Sequence, residues 1–115
     1  FAPREVRERF LASPLAQVTD RTITDPDQLR RVLADIRQKG YCIAPGYVEP
    51  TGMGIGAPIR SASGEVIAGL SVTAGRADNP QRLVPAVLTT ARGITRALGA
   101  QSSLQQNQVI RTYGH

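Results

Sequence analysis

Apolar residues recur at helical spacing in the first third of the chain. The clearest stripe follows the i, i+3, i+4, i+7 pattern and consists of Leu29, Val32, Leu33 and Ile36. Thr24 or Asp25 can cap this helix ahead of Pro26, and Gly40 stands where a left-handed C-terminal cap belongs. The pattern therefore predicts a helix over residues 26–39, preceded by a shorter one over residues 3–12.

The middle of the chain changes to an alternation of period two, which is typical of β-strands. A short strand is predicted at residues 41–43 and a longer one at residues 53–59. Residues 61–64 read Ser-Ala-Ser-Gly, a turn composition, and the strand pattern resumes over residues 65–73. We therefore expect an antiparallel β-hairpin between the helices.

A second amphipathic pattern begins at Asn79 and Pro80. Its stripe consists of Leu83, Val87, Ala91, Ile94 and Leu98. We predict a helix to residue 98 that ends at Gly99, followed by a polar tail over residues 100–115. The chain would then divide into one domain over residues 1–99 and a C-terminal tail that is loosely held or packs on neighbours.

The hairpin turn sets which residues share a face. A two- or four-residue turn places an apolar face on the core side, with the pairs Met53–Val72, Ile55–Leu70, Ala57–Ala68 and Ile59–Val66. The opposite face then carries the pairs Gly52–Thr73, Gly54–Ser71 and Gly56–Gly69. A three-residue turn without a compensating bulge would exchange the two faces.

The glycine-rich face admits two interpretations. It leaves empty volume beside the strands and offers the hydroxyls of Ser71 and Thr73, which suits a small polar ligand such as a carboxylate. Alternatively, the glycines make room for a helix or a second subunit, and the hydroxyls face water. The residues alone leave both interpretations open.

The charge balance invites a nucleic-acid interpretation but does not support it. The chain has 115 residues, a net charge of +5 and a pI near 10.3. Its densest groups of basic residues, Arg4, Arg7 and Arg9 and then Arg30, Arg31, Arg37 and Lys39, lie on predicted helices, where charges usually form the solvated face. The two long predicted helices are separated by a hairpin rather than by the tight turn of a helix-turn-helix, so we expect no direct DNA binding by these residues.

Few residues are available for catalysis or metal binding. His115 is the only histidine and Cys42 the only cysteine. These counts exclude a disulfide, a structural zinc site and a conventional Ser-His-Asp or Cys-His centre. We interpret Cys42 as a small packed residue, and we expect no cofactor, no membrane span and a cytoplasmic location. The start at Phe1, without methionine, suggests a piece of a longer protein.

Three segments carry a resemblance to a known family. The helix "TITDPDQLRRVLADIRQKGY" fits the family pattern Thr-x-x-Leu…Leu…Ile-Arg-x-x-Gly-Tyr. The hairpin "GIGAPIRSASGEVIAGLSV" and the helix end "ITRALGA" follow in the family's order. From Leu29 through Gly99 the chain resembles the distal part of the effector-binding domain of IclR-type bacterial transcriptional regulators.

The resemblance implies an α/β (α+β) fold of the GAF-like sensor type, incomplete at its N-terminus. Such a domain has an antiparallel sheet with helices packed on one face and a ligand cavity on the other. The family's pocket hydroxyls fall on Ser71 and Thr73, and a further pocket position falls on Gly54. An acidic pocket position of the family falls on Ala44, which removes a hydrogen-bond acceptor and leaves the identity of the effector open.

These observations predict the sensing part of a transcriptional regulator, without catalysis. The predicted effector-binding residues are Ser71, Thr73, Gly54, Ala44 and, from the face that it shares, Gly52. The resemblance implies a small organic or aromatic acid as effector, a homodimer or homotetramer, and DNA binding through an N-terminal winged helix-turn-helix outside this chain. The alternative is a dimerisation module of the same architecture without a ligand of its own.

Overall fold

A computed structural model describes residues 1–113, with the side chains of residues 1–99, 101 and 105. It contains three helices and three strands, in an α+β arrangement. In chain order they are α1 (Arg4–Leu11), α2 (Pro26–Lys39), β1 (Cys42–Pro45), β2 (Gly52–Arg60), β3 (Val66–Gly75) and α3 (Pro80–Tyr113).

Helix α2 begins and ends where its capping residues predict. The Asp25 carboxylate accepts hydrogen bonds from the backbone N–H groups of Asp27 and Gln28, at 3.2 and 3.3 Å. At the other end Gly40 adopts φ +84°, and its N–H donates to the Ile36 carbonyl at 2.8 Å. The predicted bounds of this helix are confirmed.

The three strands form one antiparallel sheet in the order β1-β2-β3. Side chains alternate along β2, so that one face is buried and the other half-buried. Helix α3 covers the buried face. The core between them consists of Met53, Ile55, Ala57, Ile59, Val84, Val87 and Ala91.

The hairpin turn differs from the predicted one. The Gly64 N–H donates to the Ser61 carbonyl at 2.9 Å and Gly64 has φ +87°, while Ser61 pairs with Glu65. The turn therefore has three residues, 62–64, an odd number that by itself exchanges the faces. Ile67 has no partner between the pairs Arg60–Val66 and Ile59–Ala68. This one-residue bulge returns the residues of β3 that follow it to their predicted faces.

The predicted register is therefore wrong by two residues beyond the bulge, although the faces predicted for residues 68–73 are correct. Ile55 lies opposite Val72 rather than Leu70. On the glycine-rich face Gly54 lies opposite Thr73, Gly56 opposite Ser71, and Gly52 opposite Gly75. Beyond the bulge the even offset keeps each side chain on its predicted side, because side chains alternate with period two. Val66, which precedes the bulge, is the exception: it was predicted opposite Ile59 on the core face, but it lies opposite Arg60 on the other face.

The predicted end of α3 at Gly99 is also wrong, because the helix continues through Gly99 to Tyr113. Asn79 caps its start, because its side-chain carbonyl oxygen accepts a hydrogen bond from the Gln81 N–H at 3.0 Å. Gly99 does not have the positive φ of a C-terminal cap, unlike Gly40. The tail predicted over residues 100–115 is thus helical as far as Tyr113, and the division of the chain at residue 99 stays a prediction.

Gly40 and Gly99 give opposite expectations for substitution by alanine. Gly40→Ala forces a Cβ into the left-handed region and should lower the free energy of unfolding by about 1 kcal/mol. Gly99→Ala should raise it by up to about 1 kcal/mol, since helical alanine is favoured over glycine. A Cβ built at Gly99 meets no heavy atom within 4 Å. Chemical denaturation of both variants measures the difference, and a destabilised Gly99→Ala would contradict a helical Gly99.

Candidate functional site

The face of the sheet opposite α3 brings together the residues predicted to bind an effector. Strand pairing lines them up in rows across β1, β2 and β3, about 4.8 Å apart between strands. Thr73 and Ser71 end these rows on β3 with exposed side chains. The first row consists of Ala44, Gly54 and Thr73, and the second of Cys42, Gly56 and Ser71.

The centre of this face has room above the backbone. A Cβ built at Gly54 meets only the Ala44 Cβ, at 3.9 Å, and one built at Gly56 meets the Leu70 carbonyl oxygen at 3.7 Å and the Ser71 Cβ at 3.9 Å. No atom closer than ordinary van der Waals contact covers either glycine. A ligand can therefore approach the backbone of β2 between small residues on one side and hydroxyls on the other.

Gly52 has a different environment from the other predicted site residues. Its N–H donates to the Glu49 carbonyl at 3.0 Å, within the loop that leads into β2. A Cβ at Gly52 would lie 3.3 Å from both Cβ and Cγ of Glu49. The Glu49 side chain therefore closes the space above Gly52, and the open floor begins at Gly54.

The end of β1 beside Ala44 is held by a second loop. The Thr19 hydroxyl donates to the Gly46 carbonyl, and the Thr22 hydroxyl donates to the Tyr47 carbonyl at 2.6 Å. Gly46 is buried with φ +72°, and a Cβ there would lie 2.7 Å from the Arg21 Cδ. These contacts hold the segment that follows β1, and they therefore help to position Ala44 opposite Gly54 in the first row.

A cavity of about 300 Å³ adjoins the second row. Residues from α2, β1 and the chain start form part of its wall, although they are absent from the predicted site. Cys42 could not be placed at the site from the hairpin alone, because the hairpin pattern does not specify how β1 pairs with β2. The structure pairs Cys42 with Gly56. Most of the lining residues lie on β2 and β3, among them Gly56, Pro58 and Ser71, and the others are Phe1, Ile36 and Cys42.

The charges near this cavity favour an anion. Arg7, Arg37 and Arg60 all place positive charge near the backbone nitrogen of Phe1. The Arg60 guanidinium also lies 5.6 Å from the centre of the Phe1 ring. Three arginines thus contribute positive potential at the end of the cavity that Phe1 lines.

The chemistry of the face is that of binding. Burial raises the pKa of the Cys42 thiol, so the thiol is neutral at physiological pH and weakly nucleophilic. Within the part of the chain whose side chains are described, no cluster of three His, Cys, Asp or Glu residues could hold a metal ion. Nor does any helix described in residues 1–113 combine the length and hydropathy of a membrane span.

Comparison with known proteins identifies the family. Residues 1–96 match the family of the bacterial transcriptional regulator IclR C-terminal domain, and the chain belongs to this family. A solved IclR homolog of Microbacterium hydrocarbonoxydans, complexed with 4-hydroxybenzoate, superposes with a TM-score of 0.82 and is 43% identical. The match covers 85% of this chain and 40% of that one.

Curated relatives agree with this assignment. The Pca regulon regulatory protein of Pseudomonas putida is 31% identical over 98 residues, which are 81% of this chain and 34% of that protein. The HTH-type transcriptional regulator KipR of Bacillus subtilis (strain 168) is 32% identical over 104 residues, 86% of this chain and 42% of that protein. The chain therefore spans less than half the length of these relatives. It belongs to a family of regulators and not to a family of enzymes.

Proposed function

We propose that this chain senses a small organic acid for an IclR-type transcriptional regulator, and that the glycine-rich face of the sheet is the binding surface. The observation that carries the proposal is the pairing of two hydroxyls, Ser71 and Thr73, with two uncovered glycines across β2 and β3. Hydroxyl donors and accessible backbone suit a carboxylate group, and glycines leave the space for the rest of the ligand.

The effector we propose is an aromatic acid with one ring, for which 4-hydroxybenzoate is the natural probe. The solved homolog at 43% identity binds that compound. Positive potential from Arg7, Arg37 and Arg60 supports an anionic ligand here as well. The Ala44 side chain has no hydrogen-bond acceptor. Polar recognition of the ligand therefore falls to the hydroxyls of Thr73 and Ser71, at the β3 ends of the first and second rows.

The remaining parts of the regulator are proposed from the family. We expect the whole protein to be a cytoplasmic homodimer or homotetramer that binds DNA through an N-terminal winged helix-turn-helix outside this chain. Effector binding would favour one arrangement of the sensor domains and so bias the spacing of the DNA-binding domains. Operator binding by the intact regulator, with and without effector, measures this coupling.

Removing both hydroxyls should weaken effector binding strongly. The Ser71→Ala, Thr73→Val double variant keeps side-chain size but loses two donors, and we expect its Kd for 4-hydroxybenzoate to rise by about 30-fold or more. Isothermal titration of the intact regulator measures this. A matched control replaces hydroxyls away from the face, in Ser63→Ala and Thr90→Val, where Ser63 contacts the Ser61 hydroxyl and Thr90 the Ala86 carbonyl.

The controls should bind as the parent does. Equal affinity of the double variant and the parent would contradict the proposed surface. A different pair of results would favour the dimerisation module, in which this face meets a second protomer. In that case the parent would bind no acid, and the double variant would form smaller oligomers than the parent.

A further inference from the structure

We infer that the cavity over the second row receives the ring of the effector, and that Cys42 determines how large a ring can enter. Strands β2 and β3 form most of this cavity, and Cys42 of β1 and Ile36 of α2 complete its wall. The inference rests on the proposed function, because it extends the same face. It adds a subsite and a specificity-determining residue to the hydroxyl positions on β3.

The cavity is continuous with the hydroxyl-bearing floor. Ser71 ends the second row and also lines the cavity, as does Gly56 in the centre of that row. A ligand whose carboxylate lies at the Ser71 and Thr73 hydroxyls can therefore extend along the second row towards Cys42. In that direction α2 supplies Ile36 as a further wall.

The lining is suited to a flat apolar group. Phe1, Ile36 and Pro58 present hydrocarbon surface, and the Cys42 thiol is neutral because burial raises its pKa. A volume of about 300 Å³ lies at the small end of the range for ligand pockets, which suits one ring rather than two. The Arg60 guanidinium lies 5.6 Å from the centre of the Phe1 ring, so a polar substituent on the end of the ligand ring nearest Phe1 would lie close to positive charge.

Cys42 is the wall residue whose size is easiest to change. It lies on β1 directly opposite Gly56, so that no side chain on β2 competes for the same space. Its half-buried side chain still reaches the cavity. A larger side chain at this position would project over Gly56 and shorten the space available to the ring.

The rate at which the Cys42 thiol is alkylated can show whether a ligand occupies the cavity. Iodoacetamide modifies an accessible cysteine as the thiolate, and the reaction should be run near pH 9 because burial raises the Cys42 pKa. In the intact regulator, saturating 4-hydroxybenzoate should slow alkylation of the peptide containing Cys42 by at least about tenfold, followed by mass spectrometry. At about ten times the parent's Kd, the Ser71→Ala, Thr73→Val variant, whose Kd should be about 30-fold higher or more, should show slowing of less than about 1.5-fold.

Two further variants separate ring size from general damage. Cys42→Leu should raise the Kd for 4-hydroxybenzoate by about tenfold or more, and Cys42→Ala should change it by less than about threefold. If Cys42→Leu fails to fold, as judged by circular dichroism, the alkylation of the parent decides alone. Tight binding of 4-hydroxybenzoate with unchanged alkylation of Cys42 overturns the subsite but leaves the proposed function standing. Failure of the parent to bind 4-hydroxybenzoate or any single-ring acid overturns both.

Discussion

Replacing Ile55 by alanine should lower the free energy of unfolding by about 3 kcal/mol, the largest effect on stability expected from one side chain here. Ile55 lies in the middle of β2 and is 0% exposed. It is packed in the core between the sheet and α3, so the smaller side chain leaves a cavity that the three strands and one helix cannot easily close. Denaturant titration of the variant measures the change.

Ile67 provides the matched control. It is the bulged residue of β3, chemically identical to Ile55 but 55% exposed. Ile67→Ala should therefore lower the free energy of unfolding by less than about 1 kcal/mol. Similar losses in the two variants would mean that the apolar side of β2 is not the centre of the core.

Placing a leucine at Gly54 should abolish effector binding while leaving the fold intact. A Cβ at this position meets only Ala44, at an ordinary contact distance of 3.9 Å, and the rest of the leucine would occupy the space above the first row. We expect the Kd for 4-hydroxybenzoate to rise by about 30-fold or more, or about 2 kcal/mol. Isothermal titration of the intact regulator measures this loss.

Gly54→Ala is the control for size at the same position. It adds only the Cβ for which the structure has room, so its Kd should change by less than about threefold. Both variants should unfold within about 1 kcal/mol of the parent, because a glycine inside a strand gains backbone rigidity on substitution. Parent-like affinity in a folded Gly54→Leu variant would place the effector elsewhere.

Elements with local signals were predictable from the sequence. Asp25 and Gly40 cap α2 through hydrogen bonds within a few residues, so their chemistry is visible in the sequence itself. The alternation through Met53, Ile55 and Ala57 likewise predicts which side of β2 is buried. Local rules decide these features, and tertiary contacts do not override them.

The end of α3 and the register of the hairpin were predicted wrongly because the local sequence at each is compatible with more than one backbone conformation. Gly99 has the composition of a helix end, but a glycine inside a helix costs only about 1 kcal/mol, and α3 continues through it. The hairpin register depended on the backbone of Gly64 and on the unpaired Ile67, and neither is visible as a change in the polar pattern.

The candidate site was predictable only in part. Ser71, Thr73, Gly54 and Ala44 lie on one face as expected, whereas Gly52 lies beneath Glu49. The position of Cys42 required the pairing of β1 with β2, which no alternation pattern specifies. Residues far apart in the chain that share a wall, such as Ile36 and Ser71, are joined only by the folded structure.

The three-residue turn and the bulge at Ile67 together determine which face each residue of β3 occupies, and this limits how the length of the hairpin can vary among related sequences. Losing or gaining one residue in either feature would turn the hydroxyls of β3 into the hydrophobic core and the core residues out to the ligand side. Such a change damages stability and recognition at once. Related sequences should therefore vary in length here only by two compensating changes, and an alignment that opens a single-residue gap in this hairpin would misassign every ligand-facing position after it.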